Sequence, residues 1–485
     1  MPRAWVTLAA LGTSVFLGAL DQTVVVTALP AIVDDLQIPF NRLDDAAWIV
    51  TAYLLGYTVA MPLIGRMSDV FGRQRVMYAC LGLLAGTSVL CGVARNLEWL
   101  VLARGLQAVG GGALLPVTLA VVGDLFPAER RSLLLGLVAG TAEAGGVLGP
   151  LWGAAVLDHL TWRWVFYLNV PVIALIALVL QRAPAPSSRG GTAVDYRGAL
   201  LLGTGLGALA LGLSRETNQG GVLVRVVLGV GSLVLLGAFV RHGLRTTEAL
   251  VDLTLFRALP FAAGNLLSLL SGVALIVAMV DIPLYSATVL RRSAVDGGLL
   301  LMRLMIGIPI GAVVGGGLIR RTGSAAAATV GVVAAGGGLV LLARWRPETN
   351  LADLTGYLLL CGIGFGLQLA PITSVVVGWA GAARAGVASA LVTVMRTIGM
   401  LVGIATLTSW GLDRFSALVA DLALPLPVLG ESAEVSQARI DAYQQAIVEA
   451  SVNVFSETFT AAAVVCLVAL LPALILRLPA RTAYR

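Results

Sequence analysis

Apolar positions fill this chain in long blocks, and polar positions punctuate them. The blocks recur from residue 4 to residue 478. Many approach the roughly 20 residues that cross a bilayer as a helix. They predict fourteen spans, at about 4–29, 45–64, 76–94, 99–123, 131–157, 163–182, 197–214, 222–241, 258–290, 296–319, 325–343, 351–378, 382–412 and 456–478. A helix satisfies its own backbone hydrogen bonds, so these blocks read as helices in lipid. The first block is too long for a cleaved signal and leads into an acidic loop without a clear small-residue cleavage site.

Composition agrees with that pattern. Of 485 residues, 58% are hydrophobic and only 12% charged, about half the charge of a soluble domain. Mean hydropathy is +0.93. The expected class is an all-α polytopic membrane protein. The four cysteines, Cys80, Cys91, Cys361 and Cys466, sit inside apolar runs and read as small buried hydrophobes. They show no disulfide or metal spacing. Every fixed basic charge is arginine. An even number of spans puts both termini on one side. The loops of that side hold 18 arginines and 6 acids, against 11 and 17 opposite. Basic residues in short loops mark the cytoplasm, so both termini are expected there, in a bacterial plasma (inner) membrane. The net charge of +6 then reflects topology, not nucleic-acid binding.

Two landmarks divide the chain. Residues 183–196, APAPSSRGGTAVDY, form a Pro/Gly/Ser linker. Residues 242–257 form a second, partly amphipathic connection. Between them lie two plain apolar spans. The expected domains are a six-helix bundle over 1–182, a linker with two extra helices over 183–257, and a second six-helix bundle over 258–485 with an external helical hairpin at about 413–456. The halves echo weakly: GRMSDVFGRQR (65–75) follows span 2, and GGGLIRRTG (315–323) follows span 10. Paired halves of this kind suit transporters that rock about a midplane site.

The 65–75 loop reads as an ordinary positive-inside loop. Its glycines, Gly65 and Gly72, permit tight turns. Its spacing also resembles the signature loop of the major facilitator superfamily. That resemblance implies a latch between halves in the outward-open state, built from Gly65, Arg66, Asp69, Gly72, Arg73 and Arg75. Three further stretches are similar to motifs of its fourteen-span drug/proton antiporters. LDQTVVVTALP (20–30) resembles the first-helix motif, with Val26 where asparagine is usual. RGLQAVGGG (104–112) resembles the fourth-span motif. GTAEAGGVLGPLWGA (140–154) resembles the antiporter motif, with Gly145, Gly149, Pro150 and Gly153 in place and Ala154 for the usual last glycine. Small residues at such spacing let helices approach closely, as packing or as a bend. The stretches AWIVTAYLLGYTVAMPLIGR (47–66), VDIPLY (280–285), GIPIGAVVGGG (307–317), VMRTIGMLVGIATLTSWGLDRF (394–415) and YQQA (443–446) resemble the mycobacterial triacylglyceride exporter subfamily. That likeness implies a lipid cargo and a periplasmic lipoprotein as partner.

Six ionisable residues fall inside spans: Asp21, Glu143, Asp281, Arg104, Arg303 and Arg396. Three acids balance three bases, as the penalty on an unpaired buried charge requires. Depth along the spans suggests the pairs Asp21–Arg104, Glu143–Arg396 and Asp281–Arg303. In the superfamily fold, spans 5 and 13 face each other across the halves. The pairs read either as structural or as proton-coupling, with Asp21 and Glu143 carrying the proton and Arg104 and Arg396 as counter-charges. Burial raises a carboxyl pKa and a nearby arginine lowers it, so an acid whose partner moves away can alternate between forms. His159 and His242 read as isolated loop residues.

No cofactor, metal cluster, nucleophile–base arrangement or phosphate loop is expected, and no enzyme. The leading reading is a monomeric, proton-coupled exporter of lipids or lipid-like amphiphiles working by alternating access. A multidrug/proton antiporter is the alternative, and a non-transporting membrane partner of an envelope lipoprotein the third. The two extra spans are expected outside the core, away from the cargo path. In the 413–456 loop, Pro425 and Pro427 should stop one helix and Ser432 or a neighbour cap the next. Tyr443, Ile447, Ala450 and Val454 give that second helix an apolar stripe. It should run unbroken into span 14, from about 433 to 478.

Overall fold

The computed structural model describes residues 2–39, 43–126, 128–181, 194–213, 221–246, 249–380, 385–420, 422 and 433–476. Among them no strand occurs. The helices are α1 Pro2–Asp35, α2 Leu43–Phe71, α3 Arg73–Gly92, α4 Leu97–Leu125, α5 Ala128–His159, α6 Arg163–Tyr167, α7 Asn169–Leu180, α8 Tyr196–Leu213, α9 Gly221–Gly243, α10 Leu259–Thr288, α11 Ala294–Thr322, α12 Ser324–Leu342, α13 Leu351–Ala380, α14 Ala385–Val419 and α15 Ala433–Ile475. Among the described residues, thirteen segments are long and apolar enough to cross a membrane, with α6 and α7 counted together as Arg163–Leu180. Helix α5, with 32 residues, packs against α1 and α11 and makes the fourteenth. Span 6 crosses as expected over Arg163–Leu180, with one interruption. It breaks at Leu168, and the break starts α7 on Asn169.

The architecture is two six-helix bundles plus two outlying helices. In the first bundle α1 packs on α5 and α4 on α2 and α3. In the second, α10 packs on α14 and α15, and α13 on α11 and α12. Local chemistry sets several helix ends. The Asn96 side chain accepts the Trp99 amide at 2.9 Å and caps α4. Ser293 and Asp296 form a capping box at the start of α11. Two tight joints carry positive φ, Gly72 at 94° between α2 and α3 and Gly323 at 85° between α11 and α12. A side chain is strained in that region, so glycine occupies both. They occupy matching places in the two halves, and they define one end of the molecule, here the basic end.

At the other end, α5 and α1 are in close contact. A Cβ at Gly145, Gly149 or Gly153 would run into Phe16, Thr23 or Thr27 of α1. The four-residue spacing of these glycines makes a flat stripe on which α1 lies. The next position, Ala154, faces the other bundle. Its partner there is Gly298 of α11, where an added Cβ would lie 2.7 Å from the Ala154 methyl and 3.0 Å from the Pro150 carbonyl oxygen. The extra methyl at 154 is thus accommodated by a missing one at 298.

Helix α8 lies beside α2 and α14, and α9 packs on α8. Leu223 and Leu233 of α9 are 74% and 72% exposed, as lipid-facing residues are. Helix α15 runs unbroken for 43 residues, about 65 Å at 1.5 Å per residue. The hydrocarbon core needs only about 30 Å. Ala450 and Val454 are buried, whereas Val435 near the helix start is exposed. Arg414 of α14 grips Glu457 of α15, Nε to Oε2 at 2.9 Å. Pro425, Pro427 and Ser432, and linker residues 183–193, lie outside the described residues.

Candidate functional site

Between the bundles lies a cavity of about 930 Å³. One wall comes from the second bundle and is mainly apolar: Leu275, Met279, Met305, Ile308, Phe365 and Leu369. The facing wall mixes Met61, Leu115 and Val147 with Gln22, Tyr57 and Glu143. The lining continues to Gly65, Arg66 and Asp69 and to Leu250 and Asp252, so the cavity extends to the basic end. The Gly298–Ala154 contact lies at the hairpin end. Among the described residues, none of α8 or α9 lines the cavity.

Glu143 of α5 and Arg396 of α14 meet on this wall. Arg396 Nη2 donates to Glu143 Oε1 at 2.9 Å. The side chains are 40% and 20% exposed. This pair ties the two bundles together, and it faces the cavity.

The Asp21–Arg104 pair is built differently. Both side chains are fully buried. Arg104 Nη1 donates to Asp21 Oδ2 at 2.9 Å, and Nη2 donates to the Asp21 carbonyl at 3.2 Å. The other carboxylate oxygen accepts from Gln107 Nε2 at 3.1 Å and Asn169 Nδ2 at 3.0 Å. Gln107 also donates to Ser88 Oγ at 2.9 Å. The guanidinium stacks 4.0 Å from the centre of the Tyr53 ring. Every member belongs to the first bundle, on α1, α2, α3, α4 and α7. A rigid rotation of the bundles therefore leaves Asp21 and Arg104 together. Of the two pairs, only Glu143–Arg396 joins the bundles, so only it could be separated by their relative rotation as expected.

The third expected pair does not form. Asp281 Oδ2 instead accepts a 2.6 Å hydrogen bond from Thr458 Oγ1 of α15. Arg303 keeps Nη1 buried without a hydrogen-bond partner among the described residues. A hydroxyl on an adjacent helix satisfies the acid, and charge balance cannot reveal a hydroxyl. In the 65–75 loop, Arg73 contacts Asp69 at 3.2 Å and Asp124 of α4 at 2.9 Å. Both partners lie in the first bundle. Gly65 packs on Pro116, and Arg75 is exposed.

His159 is exposed. His242 is not an isolated loop residue as expected. It ends α9, and its Nε2 lies 2.8 Å from Asp195 Oδ1. Asp195 also accepts the Gly198 and Leu250 amides at 2.8 and 3.0 Å. Burial alone would raise this carboxyl. The amides and His242 outweigh it and hold the pKa below its ordinary value. No group of three or more metal-ligating side chains occurs among the described residues. Sequence reasoning missed Gln107, Asn169 and Ser88. An uncharged polar residue inside an apolar block was the available signal.

The model of the Major Facilitator Superfamily matches residues 11–404. A triacylglyceride transporter of Mycolicibacterium smegmatis is 37% identical over 483 residues, covering 96% of this chain and 86% of its own. One from Mycobacterium tuberculosis is 36% identical, covering 95% and 92%. Among solved structures, a bacterial homolog of the human lysosomal transporter Spinster, inward-facing and occupied, superposes with a TM-score of 0.68 at 15% identity, covering 98% of this chain and 97% of that one. Its unoccupied form gives 0.66 at 17% identity.

Proposed function

This chain belongs to the Major Facilitator Superfamily, a transporter and not an enzyme, and we propose that it is a proton-coupled exporter of triacylglycerol-like lipids. The observation that carries the reading is the Glu143–Arg396 pair, a 2.9 Å tie between bundles on the wall of a largely apolar cavity. The arginine-rich end is placed in the cytoplasm by the excess of basic loops there. The cavity then loads from the cytoplasmic leaflet in this state. Protonation of Glu143 removes its charge and loosens the tie to Arg396, which lets the bundles rock. In the outward-open state the 65–75 loop latches the basic end through Asp69 and its arginines. Asp21, in the outer half of α1, serves as a second proton site with Arg104 as counter-charge. Its release needs a side-chain rearrangement around Gln107 and Asn169. The relatives named triacylglyceride transporters support the cargo.

The long α14–α15 hairpin supports release beyond the outer surface, to a lipoprotein carrier. One chain encloses the whole cavity, which supports a monomer. The test is reconstitution in proteoliposomes with a pH gradient, comparing labelled triacylglycerol with a panel of cationic drugs. Gradient-dependent movement of triacylglycerol supports the reading, and movement of drugs alone overturns it. The multidrug antiporter stays as a second reading because Glu143 is an exposed acid in the cavity. Replacing residues 420–450 by a short Gly/Ser linker separates the two. It should abolish lipid release and spare drug efflux.

A further inference from the structure

The second-bundle wall of the cavity carries held polar groups among its apolar residues, Ser268, Thr397 and Gln368 among them. Gln368 of α13 is 2% exposed and lines the cavity. Its Nε2 donates to the Gly364 carbonyl at 3.2 Å. A carbonyl only accepts, so this bond fixes which end of the amide is nitrogen. The oxygen, Oε1, then accepts from Ser271 Oγ of α10 at 2.5 Å. Space for the side chain is provided from α12. A Cβ at Gly331 would stand 2.8 Å from Gln368 Cγ, so glycine there leaves a notch for the stem. Three helices of one bundle therefore hold this amide in place.

An amide nitrogen carries two N–H groups. Gly364 takes one, and among the described residues the second has no acceptor. The neighbouring Ser268 offers nothing comparable, because its hydroxyl donates to the Val392 carbonyl at 2.7 Å. Gln22 on the opposite wall also lines the cavity, but no hydrogen bond among the described residues orients it. Gln368 is thus a pre-oriented neutral donor set among Leu275, Met305, Ile308 and Phe365. Such a donor suits a cargo group that accepts and carries no charge, with hydrocarbon on either side. An ester carbonyl is that group. An alkane or ether chain satisfies it poorly, and a cationic amine brings no acceptor.

We infer that Gln368, positioned by Ser271 and the Gly331 notch, is a specificity-determining residue that recognises an ester carbonyl of the lipid cargo. The inference rests on the lipid reading above. A site whose donor must be satisfied discriminates against the analogue that lacks the acceptor. One net neutral hydrogen bond corresponds to a preference of roughly five- to tenfold.

The test uses the full chain in proteoliposomes with a pH gradient. The probes are labelled triacylglycerol and the trialkyl ether of equal chain length, compared by initial rate. The wild-type ester-to-ether rate ratio should be roughly five to ten. Gln368→Met keeps the volume, removes the donor, and should bring the ratio close to one. Ser271→Ala leaves the amide present but less fixed and should give an intermediate ratio. It also provides the readout should Gln368→Met fail to reconstitute. Equal wild-type rates for the two lipids overturn the inference while lipid export stands. An undiminished ratio in Ser271→Ala and Gln368→Met overturns it as well. A wild type that moves neither lipid overturns the export reading and this one with it.

Discussion

Two ion pairs sit at membrane depth with the same 2.9 Å separation and opposite surroundings. Asp21–Arg104 is sealed inside one bundle, enclosed by Gln107, Asn169 and the Tyr53 ring. Glu143–Arg396 spans two bundles and faces a cavity. Distance alone does not assign a role. The sealed pair is pre-satisfied and moves as part of a body, so it favours one arrangement of α1, α4 and α7. The cavity pair can be solvated, protonated and pulled apart, so its free energy depends on the state of the transporter. Under the proposed mechanism the cavity pair responds to a proton directly, whereas Asp21 can do so only through a rearrangement inside its own bundle.

The comparison breaks if the sealed pair proves dispensable. Arg104→Ala leaves a buried carboxylate without its counter-charge and should cost about 3–5 kcal/mol. Low yield and a depressed melting transition in detergent would report it. Asp21→Asn with Arg104→Gln removes both charges and should recover part of that loss. Asp21→Asn alone should abolish proton-dependent transport, and full retention of it would remove Asp21 from the mechanism.

Glu143→Gln sharpens the contrast from the other side. A partly exposed pair contributes about 1 kcal/mol or less to stability, so the melting transition should barely move. Transport should nevertheless stop responding to the pH gradient. A variant that melts far lower would mean that the pair is structural, like its sealed counterpart.

The sequence was most legible where charge or periodicity had to be satisfied locally. Apolar blocks of bilayer length predicted the helices, because a helix of that length satisfies its own backbone in lipid. Charge balance and depth predicted two pairings, because a lone buried charge is so unfavourable. The same logic failed for Asp281, whose partner is the hydroxyl of Thr458, 177 positions away. Neutral donors such as Gln107 and Asn169 leave no imbalance to notice. The break at Leu168 was signalled by Pro171, which has no N–H to give the Tyr167 carbonyl and so sits in the first turn of α7. The Ala154–Gly298 contact is a property of two bundles, and neither position signals it alone.

That contact gives the next prediction, on the closed end of the cavity. Gly298→Ala adds a methyl 2.7 Å from the Ala154 methyl. Overpacking of this kind costs about 1–3 kcal/mol, and only while the hairpin end is closed. The population should therefore shift toward opening there. A cysteine placed at Thr27, close to Gly298, should label faster from the hairpin side. Adding Ala154→Gly should restore the wild-type rate. Equal labelling in all three would show that the bundles separate at this end along another contact.

The smallest expected effect comes from a pair between the two extremes. Asp195 is nearly buried and His242 is about one quarter exposed, and the pair joins the start of α8 to the end of α9. Asp195→Asn keeps the shape and loses the charge that the Gly198 and Leu250 amides stabilise, at about 1 kcal/mol. The sign of the pH dependence follows from the direction of the shift. The Asp195 carboxyl titrates below its ordinary value, which is about 3.9 in an unfolded chain. The carboxylate's stabilisation is then fully present above that value and is lost as pH falls through the lower, folded one. Wild type should melt above Asp195→Asn by the same margin at pH 7 and pH 5, as far as this carboxylate sets it. The margin should shrink only below about pH 4. A margin already gone at pH 5 would mean that the Asp195 carboxylate contributes nothing there. The α8–α9 pair would then be held by the apolar contacts of Gly205 and Gly212 with Leu236 and Leu228, not by this polar junction.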